Sequence, residues 1–174
     1  ICLYPLNNQF SIDAWGNKFH TKHENEGVFC HSCSRIISQS VTKGGYKYPD
    51  GRHLCTLCMA TAVNNDSTIH LAFKDVIMHL SSVGIGDFDK NISINLVGIN
   101  KLNSEAKQLS HAKLKAITTI NTTIQKQKNQ TKFMISILYG LPHIEFQAVL
   151  AHELLHIWLY QNNIKLPFEK EEGF

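Results

Sequence analysis

The residues best suited to chemistry lie in "AVLAHELLHIWLYQ", residues 148–161, where His-Glu-x-x-His sits inside one of the most apolar runs of the chain. On a helix, His152 and His156 are separated by about 6 Å along the axis and about 40° around it, so both rings project from one face and reach the same ion. Two neutral imidazoles suit zinc, and a third protein ligand with a water completes a catalytic site. Glu153, beside the first histidine, is placed to accept a proton from the attacking water rather than to ligate the ion. Val149, Leu150, Leu154, Leu155, Ile157 and Trp158 leave little polar side for these groups. Burying imidazoles and a carboxylate without partners is costly, and a metal removes that cost. No third histidine follows at short spacing, since 159–162 read Leu-Tyr-Gln-Asn; the acidic stretch "FEKEEGF" offers Glu169, Glu171 and Glu172 instead.

A second constellation lies upstream. "CHSC" (30–33) and "CTLC" (55–58) are two C-x-x-C knuckles. Cys30, Cys33, Cys55 and Cys58 together make the closed four-thiolate set of a structural zinc site. Four of the five cysteines fall in these pairs, which favours metal over disulfides and a reducing, cytoplasmic setting. Four Asn-x-Ser/Thr matches are expected by chance in so Asn-rich a chain.

The elements that must position these groups divide near residue 62. Residues 1–62 carry all the cysteines and the turn signal Pro49-Asp50-Gly51, and are expected to form short strands joined by tight turns around metal. From Thr61 onward the pattern is α+β. Apolar residues at 69, 73, 76, 77 and 80 predict a helix capped by Asp66 or Ser67 and stopped at Gly84. "NISINLVGIN" alternates as a strand with Ile92, Ile94 and Leu96 on one face; "AITTINTTIQ" and "KFMISILYG" read as two more strands. "KQKNQTK" (126–132) reads as a solvated loop. Gly140-Leu141-Pro142 leads into the motif helix, with Pro142 in its first turn and Asn162, Asn163 and Pro167 ending it. The expected architecture is a zinc-stapled, β-rich module (1–62) followed by a metallopeptidase-like α+β domain (63–174) with a mixed or antiparallel sheet.

At 174 residues, 43% apolar, 18% charged and with net charge +3, the chain has the composition of a globular protein. No Lys/Arg block is dense enough for a nucleic-acid surface, and no run is long enough to cross a membrane. Both ends look cut, as in a fragment of a longer protein.

Residues 137–142 (Ile-Leu-Tyr-Gly-Leu-Pro), 151–158 (Ala-His-Glu-Leu-Leu-His-Ile-Trp) and 171–173 (Glu-Glu-Gly) resemble, in order, the active-site region of the ubiquitin-activated LIM peptidases that limit organ growth in plants. "WGNKFHTKHENEGVFCHSCSRII" and "DGRHLCTLC" resemble that family's second, atypical LIM region. The resemblance implies a gluzincin-like site in which zinc is held by His152, His156 and a Glu of the Glu-Glu-Gly pair, Glu172 by analogy or Glu171 as the alternative. It also implies a second structural zinc using Cys2, His20 and His23, with the fourth ligand before residue 1. The metal complement would then be one catalytic zinc and one or two structural ones.

The leading expectation is a zinc endopeptidase acting on protein or peptide substrates, with partners in the ubiquitin system by resemblance. In such enzymes a strand edge receives the extended substrate, and the strand "FMISILYG" is expected to offer it. The alternative is a non-catalytic or latent zinc-stabilised protein-interaction module.

Overall fold

The computed structural model describes residues 2, 4–6, 9–89, 91–106, 114–125 and 128–167, without the side chains of 124–125 and 128–130. The chain forms two compact units: Ile1–Ala62 with Gly140–Pro142, and Val63–Tyr139 with His143–Phe174. Among the described residues, no helix is long and apolar enough to cross a membrane.

The first unit is built from two small hairpins and three single-turn helices. Strands β1 (Ser11–Ile12) and β2 (Lys18–Phe19) pair antiparallel around a turn held by Asp13. One Asp13 carboxylate oxygen, Oδ1, accepts from the main-chain N–H groups of Trp15 (2.9 Å) and Asn17 (3.0 Å). This Asx arrangement is why the turn needs an acid at that position. Helix α1 (His23–Glu26) follows, then α2 (Gln39–Thr42), capped by the Ser38 hydroxyl accepting from Val41 N–H. Strands β3 (Gly45–Lys47) and β4 (His53–Cys55) form the second hairpin, and α3 (Thr56–Met59) starts directly after it.

The Pro49-Asp50-Gly51 turn stands as its sequence requires, with Gly51 at φ +90° and its N–H bonded to the Tyr48 carbonyl. Buried Arg52 locks it through two contacts of 2.9 Å to Asp50. The three short helices depart from the strands-and-turns expectation. Each is one turn long, below the length at which periodicity leaves a signal.

The second unit contains a mixed three-stranded sheet in the order β5-β7-β6. Strand β5 (Ile92–Val97) runs parallel to β7 (Lys128–Leu138), and β6 (Ala116–Gln125) runs antiparallel to it. The nearly continuous apolar run of β7 fits its central place, with Phe133, Ile135, Ile137 and Leu138 all buried. Centrality also corrects the expectation that this strand offers an edge to substrate: both edges of β7 are already paired. Among the described residues the outer edge of β6 is unpaired instead. Residues 128–132 belong to β7 rather than to a loop, because the β6–β7 ladder extends as far as Gln125 opposite Lys128.

Helix α4 (Asp66–Ser82) is capped by Asn65, one residue ahead of the predicted caps, in a reciprocal box with Thr68. A short helix α5 (Ile99–Glu105), which begins inside the stretch "NISINLVGIN" that reads as a strand, buries Leu102. Helix α6 (His143–Gln161) begins just after Pro142, which therefore precedes its first turn. Its buried residues Phe146, Leu150, Glu153, Leu154 and Ile157 cluster on one inward face, while Leu159 is buried on the other side of the helix. Ile144 and Tyr160 are exposed.

Candidate metal centres and the helix site

The cysteine knuckles converge. The ligand atoms of Cys30, Cys33, Cys55 and Cys58 all lie within 4.8 Å of one another. Cys33 Sγ and Cys55 Sγ are 3.7 Å apart, and all five cysteines are free thiols. Two sulfurs on a tetrahedral zinc at about 2.3 Å stand roughly 3.8 Å apart, so this spacing fits the ion and is far too long for a disulfide.

Local structure explains the convergence. An antiparallel bridge between Phe29 and Ile36 closes the first knuckle. Inside it, Cys30 N–H bonds the Arg35 carbonyl (2.8 Å) and Ser34 takes the left-handed conformation at φ +60°. In the second knuckle, Cys55 ends β4 and Cys58 follows on α3, one turn later. The Cys55 N–H donates to Cys30 Sγ at 3.3 Å, tying the two knuckles through a sulfur.

Charge chemistry makes the same demand. Burial pushes the Cys55 thiol upward, as does the neighbouring Cys30. Burial and the adjacent Cys33 and Cys30 sulfurs drive Cys58 far above the ordinary thiol value. At Cys33 burial also acts upward, but hydrogen bonds from Arg35 outweigh it and the thiol is lowered. Four thiolates this close need a cation, and the set is suited to zinc.

The sequence reading missed the side chains that hold the knuckle backbone in place. Trp15 Nε1 donates to the Cys33 carbonyl at 2.7 Å, and the Arg35 guanidinium stacks 3.5 Å from the Trp15 ring centre. Asp13 Oδ2 accepts from Ile36 N–H at 3.3 Å. Burial opposes ionisation of Asp13, yet the donors from Asn17, Trp15 and Ile36 hold its carboxyl below the ordinary 3.8. The signal available in the sequence was the Asp-x-Trp-Gly-Asn turn, whose polar residues had no assigned partners.

The second predicted structural site also assembles. Cys2 Sγ lies 3.1 Å from His20 Nδ1 and 3.3 Å from His23 Nε2. His20 Nε2 is 3.0 Å from the Pro5 carbonyl. A donor–carbonyl contact on the far nitrogen leaves Nδ1 facing the cluster, the usual orientation of a metal-ligating histidine. These three atoms form a compact candidate site.

On α6, His152 Nε2 and His156 Nε2 are 3.0 Å apart, with the ring planes nearly perpendicular at 88°. Nitrogens sharing a tetrahedral zinc at about 2.0–2.1 Å stand roughly 3.3 Å apart, so the pair meets the requirement with a few tenths of an ångström of adjustment. Both histidines are half-buried, and Glu153 beside them is buried at 7% exposure. Thr118 Oγ1 on β6 donates to Glu153 Oε2 at 2.6 Å. That residue escaped the sequence reading because it pairs with Glu153 across 35 positions, beyond the reach of any local pattern. Glu169, Glu171 and Glu172, the candidate third ligands, lie outside the described residues. Tyr160 packs edge-on against Phe133, as a surface aromatic does.

Comparison with known proteins finds a family model and several relatives. Residues 89–174 match the DA1-like family, described as Protein DA1. Curated relatives include Protein DA1-related 2 of Arabidopsis thaliana, 28% identical over 189 residues covering 91% of this chain and 35% of that protein. Protein DA1-related 3 of the same plant is 28% identical over 193 residues, covering 91% of this chain and 42% of its own length. The LIM domain-containing protein HDR3 of Oryza sativa subsp. japonica is 25% identical over 195 residues, covering 91% and 37% respectively. The chain therefore spans 35–42% of the length of these three relatives. No solved structure matches. The family-model match over residues 89–174, which include the motif helix, together with relatives aligned over 91% of this chain, one of them a LIM domain-containing protein, supports the DA1 family of plant LIM-domain proteins.

Proposed function

We propose that this chain is the zinc-peptidase portion of a regulatory protein, hydrolysing protein substrates at His152, Glu153 and His156. The observation that carries the reading is the convergence of two imidazole nitrogens at 3.0 Å beside a buried carboxylate on the same helix. A buried Glu adjacent to such a pair is what a proton acceptor for the attacking water requires. His152, His156 and Glu172 would hold the ion, with Glu171 as the other candidate. Zinc bound there would supply polarisation of the scissile carbonyl and of the attacking water. Glu153 would take the proton from that water and deliver it to the departing amine. The proposed acceptor for extended substrate is the outer edge of β6, since β7 is paired on both sides. Cytoplasmic placement and partners from the ubiquitin system complete the proposal.

The test is Glu153→Gln in the zinc-loaded chain, with metal content and cleavage of a dye-quenched casein measured together. Retained zinc with lost cleavage supports the reading; undiminished cleavage overturns it.

A non-catalytic interaction module is favoured by a different observation. Phe10, Ile12 and Trp15, on and beside the β1–β2 hairpin, are 40%, 55% and 56% exposed, as a docking face would be. Metal stoichiometry separates the two readings. A scaffold needs only the ions of the first unit, whereas the enzyme needs one more that His152→Ala removes.

A further inference from the structure

The geometry points to Thr118 as the positioning residue of Glu153: its hydroxyl holds one carboxylate oxygen and so fixes the direction in which the proton acceptor faces. This rests on the peptidase reading above. Three observations converge on it. The bond is short, 2.6 Å from Thr118 Oγ1 to Glu153 Oε2, while the same hydroxyl is 3.5 Å from the Glu153 carbonyl, so its single proton goes to the carboxylate. Glu153 is buried, where a charge-assisted hydrogen bond is stronger than at the surface. Thr118 is also rigidly held. It lies opposite Ile135 in the long β6–β7 ladder, and its β-branched side chain has few rotamers.

Register gives Thr118 a second property. Leu138 N–H donates to the Lys115 carbonyl at 2.8 Å, so residues 115, 117 and 119 take the hydrogen-bonded positions against β7. Thr118 occupies the alternate position. Its side chain faces α6 while its main-chain N–H and C=O face the outer edge of β6. The residue that orients the acid–base group is thus the one whose backbone borders an incoming strand.

The experiment compares Thr118→Val, Thr118→Ser and Glu153→Gln with the parent in the zinc-loaded chain. Casein cleavage is resolved into kcat and KM, and zinc content and thermal unfolding are recorded for each. In the same zinc-loaded proteins, the Glu153 side-chain carboxyl carbon is observed by ¹³C NMR at fixed neutral pH, assigned by its absence from Glu153→Gln. Removing a hydrogen bond to a charged partner should lower kcat on the order of tenfold or more, with KM nearly unchanged. The carboxyl resonance should move in Thr118→Val and return in Thr118→Ser, with kcat restored alongside. A Val variant that keeps the parent kcat or the parent resonance overturns the assignment, as does a Ser variant no better than Val. Should the parent itself cleave no faster than Glu153→Gln, the peptidase reading fails, and the resonance still decides whether Thr118 orients the carboxylate.

Discussion

Removing zinc from the cysteine cluster should unfold the first unit, because the metal contributes at least as much as the apolar side chains that unit buries. Among the described residues of the unit, the buried apolar side chains other than cysteine are Phe19, Ile36, Leu54 and Leu141. At about 1.5–3 kcal/mol each, they contribute roughly 6–12 kcal/mol. A structural zinc contributes about 10–16 kcal/mol near neutral pH, comparable to or more than the four together. Trp15 and Trp158 are the two tryptophans of the chain, one in each unit, so single-tryptophan variants follow the units separately. In Trp158→Phe, the remaining indole donates to the Cys33 carbonyl and reports directly on the knuckle. A strong chelator should shift its emission to longer wavelength and abolish its cooperative unfolding transition. Cys58→Ser should do the same without chelator. A chain shown by metal analysis to be zinc-free, yet retaining a cooperative transition at Trp15, would refute the reasoning.

Other outcomes follow from the same contacts. Glu153→Gln should lower cleavage about 10²–10⁴-fold at unchanged zinc content, the usual contribution of a general base. Asp13→Ala should destabilise the first unit by about 1 kcal/mol at neutral pH. The folded Asp13 carboxyl is lowered, so its contribution is present above 3.8 and lost as pH falls through the lower folded value. The gap between parent and variant in denaturant midpoint should therefore close in that acid range. Gly140→Ala should cost about 1–3 kcal/mol, since Gly140 sits at φ +74° and an added Cβ meets the Tyr48 hydroxyl; urea titration reads the loss. Zinc uptake by the metal-free cluster at neutral pH should release protons, because burial raises the Cys55 and Cys58 thiols above the 9.0 of an ordinary cysteine. Calorimetry in buffers of different ionisation enthalpy would detect this, and buffer-independent heats would contradict it.

What the sequence disclosed was local. The knuckle cysteines, the Pro-Asp-Gly turn and the histidine pair each rest on residues within four positions of one another, where backbone geometry alone sets the arrangement. The strands over 92–97, 116–125 and much of 128–138 were legible from alternation and β-branching. Their order was not. The run in β7 reads equally as a buried central strand or as one exposing a side, and only its pairing with both β5 and β6 decides. Helix α5 was hidden because seven residues give fewer than two periods. Thr118 was hidden for the opposite reason, since its partner is distant and nothing in "AITTINTTIQ" distinguishes one threonine from the next. Asn65 displaced the expected helix caps because its neighbours Asp66 and Ser67 are equally good capping residues by type.

The parallel pairing of β5 with β7 has a consequence for the order in which the molecule is made. Ser93 and Phe133 meet across 40 positions, whereas β6 and β7 are near neighbours in the chain, so loop-closure entropy favours the antiparallel ladder as the earlier event. Thr118 and Glu153 both lie in the stretch from β6 through α6. We expect the Thr118–Glu153 hydrogen bond to form during refolding before β5 docks. Pulse-labelled amide exchange should protect β6 and β7 ahead of Ser93 and Asn95, which lie on the side of β5 that bonds to β7, and simultaneous protection would disprove that sequence of events.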